Sequence, residues 1–140
     1  LILAAMLLFL VISGLLARFL SVENAERDDL VALLQAEANG DARAMLSRLS
    51  ACRASPKCMA AVQQNALKLR RSGPVKILTL TSPTAYALTG KTGTTRVAWT
   101  VIGHLPVVQC VGVKRTGNAL TGVSVKLLSI GPQIPGEADC

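Results

Sequence analysis

The sequence predicts an α+β chain: an N-terminal apolar (transmembrane) helix, then about three helices packed on a curved antiparallel sheet of about four to five strands. Three observations carry this expectation. Leu1 to Ala17 holds no charged residue and one hydroxyl, Ser13. From Ser21 to Leu69 apolar residues recur three and four apart, the spacing of a helix face. Past Pro74 the composition turns to Val, Ile, Thr and Gly and the period falls to two, as in half-buried strands.

As a helix, Leu1 to Leu20 spans about 30 Å at 1.5 Å per residue, the depth of a bilayer's hydrocarbon core. Leu1, Leu8 and Leu15 are taken as anchor residues, with Arg18 snorkelling to the interface. A cleaved secretory signal is the alternative, but the nearest small-residue site, Leu15-Leu16-Ala17, is a weak one. The expected division is therefore 1–20 as anchor and 21–140 as one domain.

The first helix of that domain runs from Ser21, with Leu30, Val31, Leu33, Leu34 and Ala38 on its apolar face, until Asn39-Gly40 stops it. Asp41 caps a second, short helix carrying Met45, Leu46 and Leu49. Ser55-Pro56 starts a third, with Met59, Val62, Ala66 and Leu69 as its stripe; Lys68, Arg70 and Arg71 suit its C-terminal dipole, and Gly73-Pro74 ends it.

Val75–Thr81 and Thr84–Thr89 read as a hairpin around Ser82-Pro83, with a turn at Gly90-Lys91-Thr92-Gly93. Alternation from Thr95 to Ile102 turns Trp99 toward the core. Gly103 to Pro106 connects to a strand over Val107–Lys114, and Thr116-Gly117-Asn118 turns into a last strand ending near Ile130. The tail from Gly131 has no periodicity.

The net charge of +7 is unevenly distributed. Six of the eight acids lie between Glu23 and Asp41, and no carboxylate occurs between Asp41 and Glu137. A basic body fits an anionic lipid surface, an anionic surface polymer or an acidic protein. Nucleic acid is excluded as a partner, since Tyr86 and Trp99 are the only aromatic platforms beyond the apolar segment.

The four cysteines, Cys52, Cys58, Cys110 and Cys140, are not spaced as a C-x-x-C redox pair, and no histidine cluster accompanies them. Of three connectivities, Cys52 with Cys58 and Cys110 with Cys140 is favoured; a four-cysteine zinc site is the alternative. Disulfides and an acidic downstream flank, with Glu23, Glu26, Asp28 and Asp29 outnumbering Arg18 and Arg27, both favour a body outside the cytoplasm.

No catalytic residue, cofactor or metal is expected. Asp28-Asp29 and Glu37-Asp41 read as a solvated face and a cap. His104 is the only histidine and has no nearby acid to orient it. Trp99, Tyr86 and His104 are the candidate ligand or core residues.

Leu33-Leu34 leading through Ala36 to Asn39-Gly40-Asp41, then Ala44-Met45-Leu46, resembles the nuclear transport factor 2-like superfamily of cystatin-like cones, over roughly Glu23 to Ile130. Its enzymes hold an Asp or His inside the cone; here no strand carries a carboxylate and His104 falls in a turn. The resemblance thus implies the non-enzymatic, membrane-anchored branch. The apolar start, the amphipathic helix and the C-terminal cysteine loop also resemble type IV pilin-like subunits, although Ala5 stands where such pilins usually carry Glu.

The expected function is a membrane-anchored extracytoplasmic binding or scaffold domain, non-catalytic and part of an envelope assembly. Its partners would be membrane lipid or neighbouring subunits through Leu1–Leu20, by protein binding or self-association. The alternatives are a pilin-like filament subunit with its N-terminal helix in the filament core, and a small-molecule-binding or isomerase-like cone enzyme. Localisation is expected at the cell membrane as a single-pass protein, or in a cell-surface filament.

Overall fold

The computed structural model describes residues 2–82, 90–118 and 122–140. Its elements run in the order α1 (Ile2–Ala38), α2 (Ala42–Arg48), a 3-10 turn (Cys52–Ala54), α3 (Pro56–Lys68), β1 (Val75–Thr81), β2 (Lys91–Val101), β3 (Val107–Asn118) and β4 (Gly122–Ile134). The strands form one antiparallel sheet in the order β1-β2-β3-β4.

The apolar periodicities become the core. Leu30, Leu33, Leu34 and Ala38 of α1 and Met45 of α2 are fully buried. So are Val62 of α3 and, from the sheet, Val97, Trp99, Val107, Val111 and Val113. At about 25 cal/mol per Å² of apolar area removed from water, this interface is the main stabilising term of the fold.

Local signals set the helix ends. The Ala44 amide donates to Asp41 Oδ1 at 2.9 Å and the Cys58 amide to Ser55 Oγ at 3.3 Å, so both expected caps form. Gly40 takes φ +73°, which reverses the chain after α1. Gln35 then fastens β1 to α1: its Nε2 donates to Gly73 O at 3.1 Å, and its Oε1 accepts from the Val75 amide at 2.9 Å.

The disulfides are Cys52–Cys58, with Cα atoms 5.2 Å apart, and Cys110–Cys140, at 5.7 Å; no cysteine is free. The first staples the turn between α2 and α3. The second binds the tail to the outward face of β3. There Arg96 Nε donates to Ala138 O at 2.9 Å, and its Nη2 donates to Gly136 O.

The expected anchor is overturned. Among the described residues no helix is long and apolar enough to cross a membrane. The apolar segment is not a separate element: α1 is one helix from Ile2 to Ala38. Its uncharged run Ile2–Ala17 measures about 24 Å at 1.5 Å per residue, against roughly 30 Å of hydrocarbon. Beyond it the same helix carries Arg18, Glu23, Glu26 and Arg27.

The strand pattern also differs in detail. Lys91–Gly93, expected in a turn, belongs to β2, because β3 is long enough to pair Lys91 with Arg115 and Gly93 with Val113. Likewise Thr116–Asn118 continues β3, facing Gly122–Ser124 of β4, and β4 runs past Ile130 to Ile134. The strand expected over Thr84–Thr89 and the turn at Pro83 lie outside the described residues.

Candidate functional site

Two buried polar clusters and one exposed apolar surface stand out against this core. The first cluster joins α1 to the sheet. Trp99 Nε1 donates to Gln109 Oε1 at 2.7 Å, and Gln109 Nε2 donates to Glu37 Oε1 at 2.7 Å. All three residues are sealed from solvent, each at 0% exposure. Glu37 was expected on a solvated face with Asp41; only Asp41 behaves so, as the cap of α2.

Burial raises the Glu37 carboxyl from 4.5 to about 7, opposed by the amides of Gln109 and Asn65 and by the charge of Arg71. Arg71 closes the cluster from the α3–β1 connection. Its guanidinium carbon lies 5.5 Å from the Trp99 ring centroid, its Nη1 donates to Leu105 O at 2.6 Å, and its amide donates to Ala38 O at 2.7 Å. Chemically the cluster holds a proton near neutrality in a sealed, hydrogen-bonded interior. With Glu37, Gln109 and Trp99 fully buried, its work is cohesion between helix and sheet.

In the second cluster Arg115 of β3 pairs with Glu26 of α1, with side chains 4% and 1% exposed. Thr95 Oγ1 donates to Glu26 Oε1 at 3.1 Å and lies 3.1 Å from Ser82 Oγ. The acid-free strands therefore do not make an acid-free interior, since α1 supplies both carboxylates. Sequence reasoning missed Glu26 and Glu37. Helical spacing was the available signal: Glu26, Leu30, Leu33, Leu34 and Glu37 recur three or four apart, on one face.

The named candidates do not converge. Trp99 is core, as its alternation implied. His104 is exposed in the β2–β3 turn, where Thr100 Oγ1 donates to its carbonyl at 2.9 Å. Tyr86, Leu1 and the Arg18 side chain lie outside the described residues. Among the described residues no group of three or more His, Cys, Asp or Glu is placed to hold a metal ion.

The apolar surface is the first half of α1. Ile2, Leu3, Met6 to Ile12, Leu15 and Leu16 are 48 to 79% exposed, Leu8 at 62% and Leu15 at 52%. These positions cover every side of the helix. A helix apolar all round is normally enclosed by neighbours, and an uncovered area of this size marks an interaction site.

Comparison with protein families, with curated proteins and with solved structures gave no match.

Proposed function

We propose that the chain is an extracytoplasmic assembly subunit: a disulfide-stapled domain held at the end of a helical stalk whose apolar half packs among the stalks of other copies. The observation that carries this is the continuity of α1, with Leu30, Leu33 and Leu34 at 0% exposure inside the domain and Ile2 to Leu16 uncovered on the same rod. A rigid helix rooted in a core transmits position from the assembly to the domain.

All-round apolarity favours several neighbours over one, because a two-helix contact covers one flank of each helix. The charge pattern supports contact between copies. The apolar half of the stalk is uncharged, so the basic bodies can sit apart while those halves touch. Asp28 and Asp41 are exposed on or just after α1, complementary to exposed Arg43, Arg53 and Lys57 of a neighbouring body. Two disulfides are the chemistry of an oxidising, extracellular setting.

The reading is close to the pilin-like resemblance and to the non-catalytic members of the cone superfamily. It is tested by light scattering of the full chain and of Leu8→Glu with Leu15→Glu. Multimers from the wild type and folded monomers from the variant are expected. A wild type that is monomeric in water but floats with neutral lipid vesicles would assign the stalk to lipid instead.

A further inference from the structure

The outward face of the sheet carries a second feature, independent of the stalk. Inward residues of β2, β3 and β4 meet the helices, whereas the outward row places Thr92 beside Lys114, and Lys114 directly opposite Lys126. Thr92, Lys114 and Lys126 are all exposed. Like charges directly opposite each other across strands destabilise a sheet; the strands hold no carboxylate, and the acids brought to this face are Glu137 and Asp139 of the tail that Cys140 ties to Cys110.

The row does not end at the sheet. Lys126 also lines a groove of about 270 Å³ at the edge of β4, with Arg48 and Ser47 of α2, Ser50, Val125, Leu127 and Asp29 of α1. The groove floor is fixed: the Ser50 amide donates to Leu127 O at 3.0 Å and the Ala51 amide to Leu128 O at 3.2 Å. Lys114, Lys126 and Arg48 thus form a line of cations from the middle of the sheet, over its edge, into a walled recess. Thr92 supplies a hydroxyl along it, while the Ser47 and Ser50 hydroxyls donate to Ala44 O and Leu127 O and shape the wall.

We infer that this line is a docking track for a linear phosphate polymer without bases or sugar rings. Its chemistry selects that occupant. Lysine ammonium groups act as point charges for phosphate, and neighbouring strands lie about 4.8 Å apart, so a thin chain crossing them meets a cation on successive strands. Among the described residues no aromatic side chain lines the row or the groove, which leaves nucleobases and sugar rings without a stacking platform there. A flat lipid surface would touch Lys114 and Lys126 but not enter the recess. Asp29 is the one carboxylate in the groove, and its charge opposes the polymer there.

The test is binding of soluble polyphosphate to the full chain, followed by calorimetry, with retention of fold checked by circular dichroism. Wild type is expected to bind polyphosphate well above orthophosphate and to weaken as salt rises. Lys114→Gln with Lys126→Gln is expected to weaken binding by about tenfold or more, Arg48→Gln by severalfold, and Asp29→Asn to tighten it. Lys68→Gln with Arg70→Gln, at and just past the end of α3 and both exposed, is the control and should stay within about twofold. The inference is overturned if wild type does not bind, if the α3 control loses as much as the sheet pair, or if single-stranded DNA or anionic vesicles bind equally through the same residues.

Discussion

Gln109 Nε2 donates to Glu37 Oε1 over 2.7 Å, joining the last turn of α1 to the third strand. The same amide, through its oxygen, holds the indole of Trp99. One side chain therefore holds a buried acid, by one of its two oxygens, and a buried indole at once, and the acid's proton is linked to folding.

Glu37 predicts a falling stability as pH rises. In the unfolded chain its carboxyl titrates near 4.5, and in the fold near 7. Between those values the folded protein holds a proton that the unfolded chain releases. The stabilisation is complete below about pH 4.5 and is lost as pH passes 7. Roughly 2.5 pH units at 1.36 kcal/mol each amount to about 3 kcal/mol. Glu37→Gln, which keeps the shape and stays neutral, should remove this slope. Urea denaturation of both proteins from about pH 4 to about pH 8 measures it: the variant gains on the wild type across that window, and parallel curves would refute the assignment.

Arg115 and Glu26 form a pair almost closed to water. Removing one partner leaves an uncompensated charge inside, so Arg115→Ala should cost about 3 to 5 kcal/mol. Replacing both, Glu26→Leu with Arg115→Met, should recover most of that loss. Chemical denaturation of the single and double variants decides it; a double variant no better than the single would show that the Thr95 and Ser82 hydroxyls beside the pair, and not the pair, govern its stability.

The two disulfides differ in the loop they close, with separations of 6 and 30 residues. On chain entropy they contribute about 2 and about 3.5 kcal/mol. Replacing Cys110 and Cys140 by Ser should therefore lower stability more than replacing Cys52 and Cys58. The former also frees the tail from Arg96, which hydrogen exchange at 136–140 would report.

The core was legible because it rests on local pattern: Leu30, Leu33 and Leu34, then Met45 and Leu49, then Val62 and Ala66 each repeat at helical spacing, and Val97 and Trp99 alternate. The caps Asp41 and Ser55 and the Cys52–Cys58 bridge were legible for the same reason, and Cys110–Cys140 followed as the remaining pair. The expected anchor failed because hydropathy alone does not reveal that the helix continues unbroken into a charged, domain-forming half. Strand ends failed because pairing partners set them, as Arg115 does for Lys91. Glu37 escaped notice because its partner, Gln109, is supplied 72 residues later in the chain. The Lys114–Lys126 pairing depends on the β3–β4 register, which contains a bulge at Gly112/Val113 that shifts the alignment.

The central claim is that Ile2 to Leu16 of one copy is enclosed by the same segment of several others. A photo-crosslinking side chain placed at Leu8, which is 62% exposed on the isolated chain, tests it most directly. Irradiation of the assembled protein, followed by denaturing electrophoresis, should give a ladder running beyond the dimer. Crosslinks confined to lipid, or a single uncrosslinked band at every concentration, would contradict it.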